Sequence, residues 1–427
     1  MKNSNRTIIF ALSILISNMA FSQDDSYDLL FLKGDYEQIF EKSQALLFPQ
    51  DYYWNSIVLD KRGETLKALE VLVEGTAKFQ DDEAIERLFT DYLYKIGQYY
   101  QAKPLLEENI DKFDNFIKYI YILEFQSEYG EAIELLIDKI LNDSLNLEYL
   151  SHLGDNYYQI EKPDSAITIF SKILSINPND QLTVFKLANI YLKKKNYLKT
   201  IETCETGLSI DSTNIKLIQV SGIASFNLAD FKASESCFKY INEQGDSSKF
   251  ILKHLGISEF NIDSMETSKE HLLGAFHLDS SDIEVCFMLG KVYMNTPNPA
   301  RGLYFFDRAD SLFQPDHEVF STLYIAKQSI YSKLNDHENA LMCYQKAFEY
   351  NPKPEFIYFI GSLYQYKLNN NKLALEYYTK FLSLLPEEPE DNMSALRESQ
   401  MTISLRRVAE KNISTIKEEL FFNGELE

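Results

Sequence analysis

Apolar residues along this chain fall into paired stripes of helical period. A small residue returns at one fixed point of the pattern every thirty-four positions, at Gly154, Ala188, Gly222, Gly256 and Gly290. A second series runs in step with it at Ala132, Ala166, Thr200, Ser234, Ser268 and Gly302, then resumes at Ala340 and Ala374. Two helical stripes per period, each with one small site, predict a tandem array of antiparallel helix pairs. Glycine inside a helix costs about 1 kcal/mol relative to alanine. Its return in register therefore predicts a close crossing of the paired helices, where the missing β-carbon adds packing on both sides. The interval from Gly302 to Ala340 is thirty-eight residues, which predicts an extra turn in the helix over about 317–334.

The register continues upstream more loosely, through Ala102, Ala68 and the stretch GDYEQIFEKSQALLFP from Gly34, and gives about eleven hairpins in all. In residues 147–180 the small sites sit among Leu153, Tyr157, Phe170, Ile173 and Pro178, in the segments LGDNYY and DSAITIFSKILSINP. This pattern resembles the tetratricopeptide repeat and departs from it at Leu150, where the family has tryptophan. The resemblance covers residues 24–386, most strongly 113–316, 340–352 and 361–386. It implies an all-α fold, a right-handed superhelical solenoid of antiparallel helix hairpins. The expected organisation is a leader (1–22), divergent hairpins (23–112), a regular array (113–316), C-terminal hairpins with the insertion (317–390), and a capping helix with a tail (391–427). An apolar stripe at Met401, Leu405, Val408, Ile416 and Leu420 marks that cap, which a solenoid needs to cover its last stacking face.

With Gly154 as position 8 of its helix, positions 4, 7, 8 and 11 share one band that packs on the partner helix. Positions 2, 5, 9, 12 and 13 share the opposite band. In the tetratricopeptide family that second band lines the concave groove, which implies a binding face here. Its large side chains include Tyr121, Phe125, Tyr158, Phe185, Leu192, Ile223, Phe226, Phe250, Ile257, Phe260, Phe287 and Met294. Exposed apolar surface costs about 25 cal/mol per Å2, so two readings stand. Either the groove takes an amphipathic or extended peptide, or successive first helices bury these groups against one another. Asn227, Asn261 and Asn295 all fall at position 13, and Asn189 at position 9. Such a ladder of amides suits the backbone of an extended peptide. Asparagine near a helix end also tolerates left-handed geometry and closes the last turn, and the two roles are compatible. Lys253 occupies position 5, but Ile257 follows at position 9, so the lysine–asparagine carboxylate clamp of chaperone-binding family members is not reproduced. The candidate binding residues are Tyr121, Tyr158, Phe185, Asn189, Phe226, Asn227, Phe250, Lys253, Phe260, Asn261, Phe287 and Asn295.

Composition removes several classes. The net charge of −22 makes nucleic acid and anionic membranes poor partners. Cys204 and Cys237 fall on equivalent helices of neighbouring hairpins, about 8–10 Å apart, too far for a disulfide. All four cysteines, with Cys286 and Cys343, read as buried hydrophobes. The six histidines contain no metal-binding pair at helical spacing, and no phosphate loop or nucleophile elbow occurs. The expectation is a non-enzymatic protein without metal or cofactor.

At the N-terminus, Lys2 and Arg6 precede an apolar run from Ile8 to Ile16 and the small residues Ala20 and Ser22, the layout of a cleaved signal peptide. The run is shorter than the roughly 20 residues a bilayer span needs, so no integral anchor is expected. Cleavage after Ser22 predicts a periplasmic or secreted protein. The expected role is a scaffold that holds a protein or peptide segment in its concave groove. The alternative is a structural subunit of an envelope complex that uses its outer faces and ends.

Overall fold

The hairpin around Gly154 shows how local chemistry builds each repeat in this computed structural model. The Asn146 side chain accepts from the backbone N–H groups of Glu148 and Tyr149, which starts the helix Leu147–Gln159. That helix buries Tyr149, Leu150, Leu153 and Gly154. It stops at Glu161, whose φ of 58° lies in the left-handed region, and the N–H of Lys162 closes the turn on the carbonyl of Tyr157. Pro163 then opens the second helix at its first position, where a missing N–H costs nothing. Phe170 on that helix is fully buried against Gly154, worth about 2–3 kcal/mol of apolar burial.

The same turn recurs. Ser127, Glu161, Lys195, Ala229 and Asp263, each thirty-four residues from the next, all adopt a left-handed φ of 57–62°. In each case the following N–H reaches the carbonyl five residues back, for example Asp230 to Ser225 and Ser264 to Glu259. At the earlier turns glycine takes the left-handed position, at Gly34, Gly63 and Gly97.

The structure describes residues 25–312, 317–385 and 400–422. The expected signal peptide, the start of the expected cap and the C-terminal tail lie outside them. Among the described residues all regular structure is helical, in eleven pairs and a final helix. The chain divides into two compact units, Met1–Ile173 and Leu174–Glu427. Pairs of the first are Asp25–Lys33 with Tyr36–Ser43, Pro49–Lys61 with Thr65–Lys78, Glu83–Lys95 with Tyr99–Glu108, and Phe113–Phe125 with Tyr129–Asn142. Leu147–Gln159 then meets Pro163–Ile176, as described above. The second unit pairs Gln181–Lys193 with Tyr197–Leu208, Ile215–Asn227 with Phe231–Glu243, and Lys249–Asn261 with Met265–Leu278. It continues with Ile283–Met294 and Ala300–Leu312, His317–Lys333 and His337–Tyr350, and Pro354–Tyr366 and Asn371–Leu384.

The expected crossings are present. A β-carbon on Gly290 would lie 2.4 Å from Phe306, and one on Gly302 would lie 2.9 Å from the carbonyl oxygen of Gly290, so the two backbones touch. The helix His317–Lys333 has 17 residues against 13 in most first helices, the extra turn that the longer interval predicts.

The final helix, Gln400–Phe422, packs on Asn371–Leu384 and Pro354–Tyr366 and so caps the second unit. Its buried stripe differs from the expected one. Thr402, Ala409, Asn412, Ile416 and Leu420 face inward, while Met401 and Val408 are exposed. Polar bonds set this rotation: Thr402 donates to Glu355, and Asn412 donates to the Tyr378 hydroxyl at 3.1 Å.

Three cysteines, Cys204, Cys286 and Cys343, are buried, and Cys237 is half-buried. All four are free thiols, and burial pushes Cys204 up to about 12.

Candidate binding face

In the second unit the second band of the first helices, at positions 2, 5, 9, 12 and 13, presents a row of aromatic rings that lean on neighbouring helices. Phe185 is half-buried, with the Lys216 ammonium of the next first helix 5.7 Å from its ring centre. Phe226 meets Phe231 at 5.7 Å and the His254 ring at 5.1 Å. Phe250, 37% exposed, lies 4.1 Å from His254, and both reach the buried Phe238. His254 therefore sits among three phenylalanines. Burial lowers its pKa, against the opposing bond from its Nδ1 to the Phe250 carbonyl. Phe260 and Phe287 share one cation, Lys291, at 5.1 and 5.8 Å, and Phe287 also meets Phe306. These rings are half-buried, and Ile257 is buried completely enough to belong to the core.

The asparagines take up a different geometry from the left-handed cap. Asn189, Asn227 and Asn261 each donate a side-chain N–H to the carbonyl four residues back, at Phe185, Ile223 and Ile257. The backbone at Asn227 and Asn261 is still helical, and the left-handed residue comes two positions later, at Ala229 and Asp263. Asn295 follows the last residue of its helix with φ −100° and ψ 8°. Each of the three back-bonded amides keeps its carbonyl oxygen and one N–H for another partner.

Lys253 is committed within the chain. Its ammonium lies 3.2 Å from Asp282 and 2.6 Å from Glu284, bridging two consecutive first helices. The Asp282 carboxylate caps its own helix by accepting from Val285, and Lys249 joins the same group. The pKa of Lys253 is raised, because these carboxylates outweigh the opposing effect of burial.

Tyr121 and Tyr158 belong to the first unit. Tyr158 is half-buried. Tyr121, 42% exposed, joins Tyr94 at 5.8 Å and Tyr99 at 6.1 Å, and Tyr99 meets the exposed Phe125 at 4.8 Å. Beside them Glu124 accepts from Asn156 at 2.6 Å and lies 2.9 Å from His152 Nδ1. Burial lowers the His152 pKa, but the bond to Glu124 and the charges of Glu124, Asp155 and Glu148 leave it above its ordinary value.

Tyr94, Tyr99 and His254 join these clusters from outside the expected set. Tyr94 stands at position 12 of its own helix, on the band continued upstream. Tyr99 opens a second helix and His254 sits at position 6, off the band, so the band alone identifies neither. Among the described residues no three His, Cys, Asp or Glu side chains are grouped to hold a metal ion, and no helix is long and apolar enough to cross a membrane.

A family model described as the tetratricopeptide repeat matches residues 147–180 and 322–354. A 51-residue stretch is 35% identical to the Hsp70-Hsp90 organising protein of Plasmodium falciparum (isolate 3D7), covering 12% of this chain and 9% of that protein. The chain thus matches less than a tenth of that relative's length. Among solved structures, the C-terminal part of a TPR repeat-containing protein from Cytophaga hutchinsonii is 13% identical, with a TM-score of 0.44 over 56% of this chain and 96% of that one. YrrB, described as a TPR protein with an unusual peptide-binding site, is 17% identical, with a TM-score of 0.39 over 44% and 94%. MamA from Desulfovibrio magneticus RS-1 is 12% identical, with a TM-score of 0.37 over 39% and 94%. At these scores the structural likenesses carry no weight for what this chain binds.

Proposed function

We propose that this tetratricopeptide-repeat chain is an exported, non-enzymatic scaffold that holds a peptide or protein segment in a concave groove lined by the second band of its first helices. The observation that supports it is the row of rings in the second unit, from Phe185 to Phe287, half-exposed and interleaved with amides that retain free hydrogen-bonding capacity. Rings supply apolar contact area, and amides meet the backbone of an extended segment from both its donor and acceptor sides. Export to a periplasm or the medium rests on the leader reading of residues 1–22.

A second reading has its own support. Phe226 and Phe250, both on the band, are engaged inside the chain by His254, and Lys253 ties consecutive hairpins together. A structural subunit that works through its outer faces and ends fits those contacts. Co-purification from the native envelope separates the two. The scaffold reading expects loss of the stoichiometric partner when Phe226, Phe260 and Asn261 are replaced together by alanine. Retention of the partner by a folded variant refutes it and favours the subunit.

A further inference from the structure

The first unit carries a second aromatic group whose electrical setting differs from that of the rings around Lys216 and Lys291. Tyr94, Tyr99, Tyr121 and Phe125 meet edge to face or tilted, with ring centres 4.8–6.1 Å apart. Tyr121 and Phe125 are 42% and 67% exposed, although both rings are large enough to be core residues. Glu124 lies on the same helix, three residues after Tyr121 and one before Phe125; the phenol of Tyr94 titrates above its ordinary value, first through burial, then through the phenols of Tyr99 and Tyr121 and the charge of Glu124.

The cations on the three helices that bear these rings are already paired elsewhere. Arg87 faces Asp114, Lys95 pairs with Asp60, Lys103 with Glu128 and Lys118 with Asp91. Both bonds to Glu124, from His152 and Asn156, go to Oε1, which leaves Oε2 for a further donor. Residues 25–173 hold 14 Lys and Arg against 29 Asp and Glu, so the surroundings attract positive charge. Aromatic faces bind cations through their quadrupole, most strongly where water is partly excluded.

We propose that the Tyr94–Tyr99–Tyr121–Phe125 cluster and the Glu124 carboxylate receive an arginine or lysine side chain from a basic, extended segment of the partner. The proposal rests on the scaffold reading and assigns the partner's chemistry to the first unit. The rings stack on the guanidinium or ammonium group, and Glu124 Oε2 supplies the opposite charge. Side chains of an extended strand alternate in direction, so one basic group can enter while its neighbours point away.

The test uses the full chain and fluorescence anisotropy with two short labelled peptides, one alternating arginine with glycine and one alternating glutamate with glycine. The arginine peptide is expected to bind, the glutamate peptide is not, and added salt should weaken the complex. Tyr121→Leu combined with Phe125→Leu keeps apolar surface and removes the ring faces; it is expected to weaken the arginine peptide about tenfold. Glu124→Gln, which retains an acceptor for Asn156, is expected to weaken it several-fold and to reduce the salt dependence. Both variants are checked for native far-UV circular dichroism, and Phe125→Leu alone serves if the pair fails to fold. Equal binding of the two peptides, no binding of the arginine peptide, or unchanged binding in the leucine variants each overturns the proposal. Failure here is read with the short labelled peptides and the leucine variants, and failure of the scaffold reading with the co-purified partner, so the two appear in different assays.

Discussion

Replacing Gly290 with alanine tests the crossing that sets the repeat. In a helix exposed to solvent the change would stabilise by about 1 kcal/mol through helix propensity. Here the new β-carbon would sit 2.4, 2.5 and 2.7 Å from three carbons of the Phe306 ring, well inside van der Waals contact. Phe306 is fully buried, and its ring also meets Phe287, so it cannot swing into open space. Relief requires the helix Ala300–Leu312 to move away, yet Gly302 on that helix already approaches the Gly290 carbonyl. Overpacking of this kind costs about 1–3 kcal/mol, and the short distances put it at the upper end. After subtraction of the propensity gain, a net loss of about 1–2 kcal/mol is expected. Gly130→Ala is the control, because a β-carbon added there, in the helix Tyr129–Asn142, would meet nothing within 4 Å, and it is expected to gain about 0.5 kcal/mol. Urea unfolding followed by circular dichroism reports the sign for both. A Gly290→Ala midpoint equal to or above that of the parent, with Gly130→Ala raised, would refute the crossing argument.

Buried groups give three further outcomes. Lys327 is 5% exposed and pairs with Asp307 and Asp310 at 2.9 and 2.8 Å; Lys327→Ala is expected to cost about 2–4 kcal/mol, read as a lowered urea midpoint, whereas Lys327→Met should recover part of it through apolar packing. The bond that His271 Nδ1 donates to Glu259 raises the His271 pKa against the effect of burial, so its stabilisation is full below the unfolded value near 6.5 and is lost as pH rises through the folded value. His271→Gln should accordingly flatten the fall in thermal midpoint between about pH 6 and pH 8, and an unchanged slope would contradict the assignment. Burial raises all four thiols, to about 11 at Cys286 and Cys343 and about 12 at Cys204, so it is the greater exposure of half-buried Cys237 that should make it the first site of native alkylation at mildly alkaline pH, with mass spectrometry identifying the site.

Spacing made the helix pairs legible because each small residue answers to one contact: Gly154 must admit Phe170, and Gly290 must admit Phe306. The extra turn before Ala340 was legible for the same reason, since four residues shift a helix by about one turn and keep its face. Apolar periodicity failed at the final helix, where Thr402 and Asn412 turn inward on hydrogen bonds that the sequence does not display. The left-handed cap expected at Asn227 and Asn261 is not formed there, because a side chain that bonds the carbonyl four residues back needs no left-handed backbone. Lys253 stands in the expected band, but the carboxylates that hold it lie at Asp282 and Glu284, in the next repeat. The cluster at Tyr99 escaped the band because it joins residues of first and second helices.

The left-handed turns at Glu161, Lys195, Ala229 and Asp263 bear on how the array can be altered. A side chain with a β-carbon in that conformation costs about 1 kcal/mol that glycine does not, and the chain already uses glycine at Gly63 and Gly97. Each of the later turns is therefore a small, separately addressable reserve of stability. Because repeats interact mainly with their neighbours, glycine placed at one turn would stiffen that hairpin locally and leave distant ones as they were. The ladder thus doubles as a set of graded adjustments, one per repeat, through which the ease of local opening along the array can be set without touching the core.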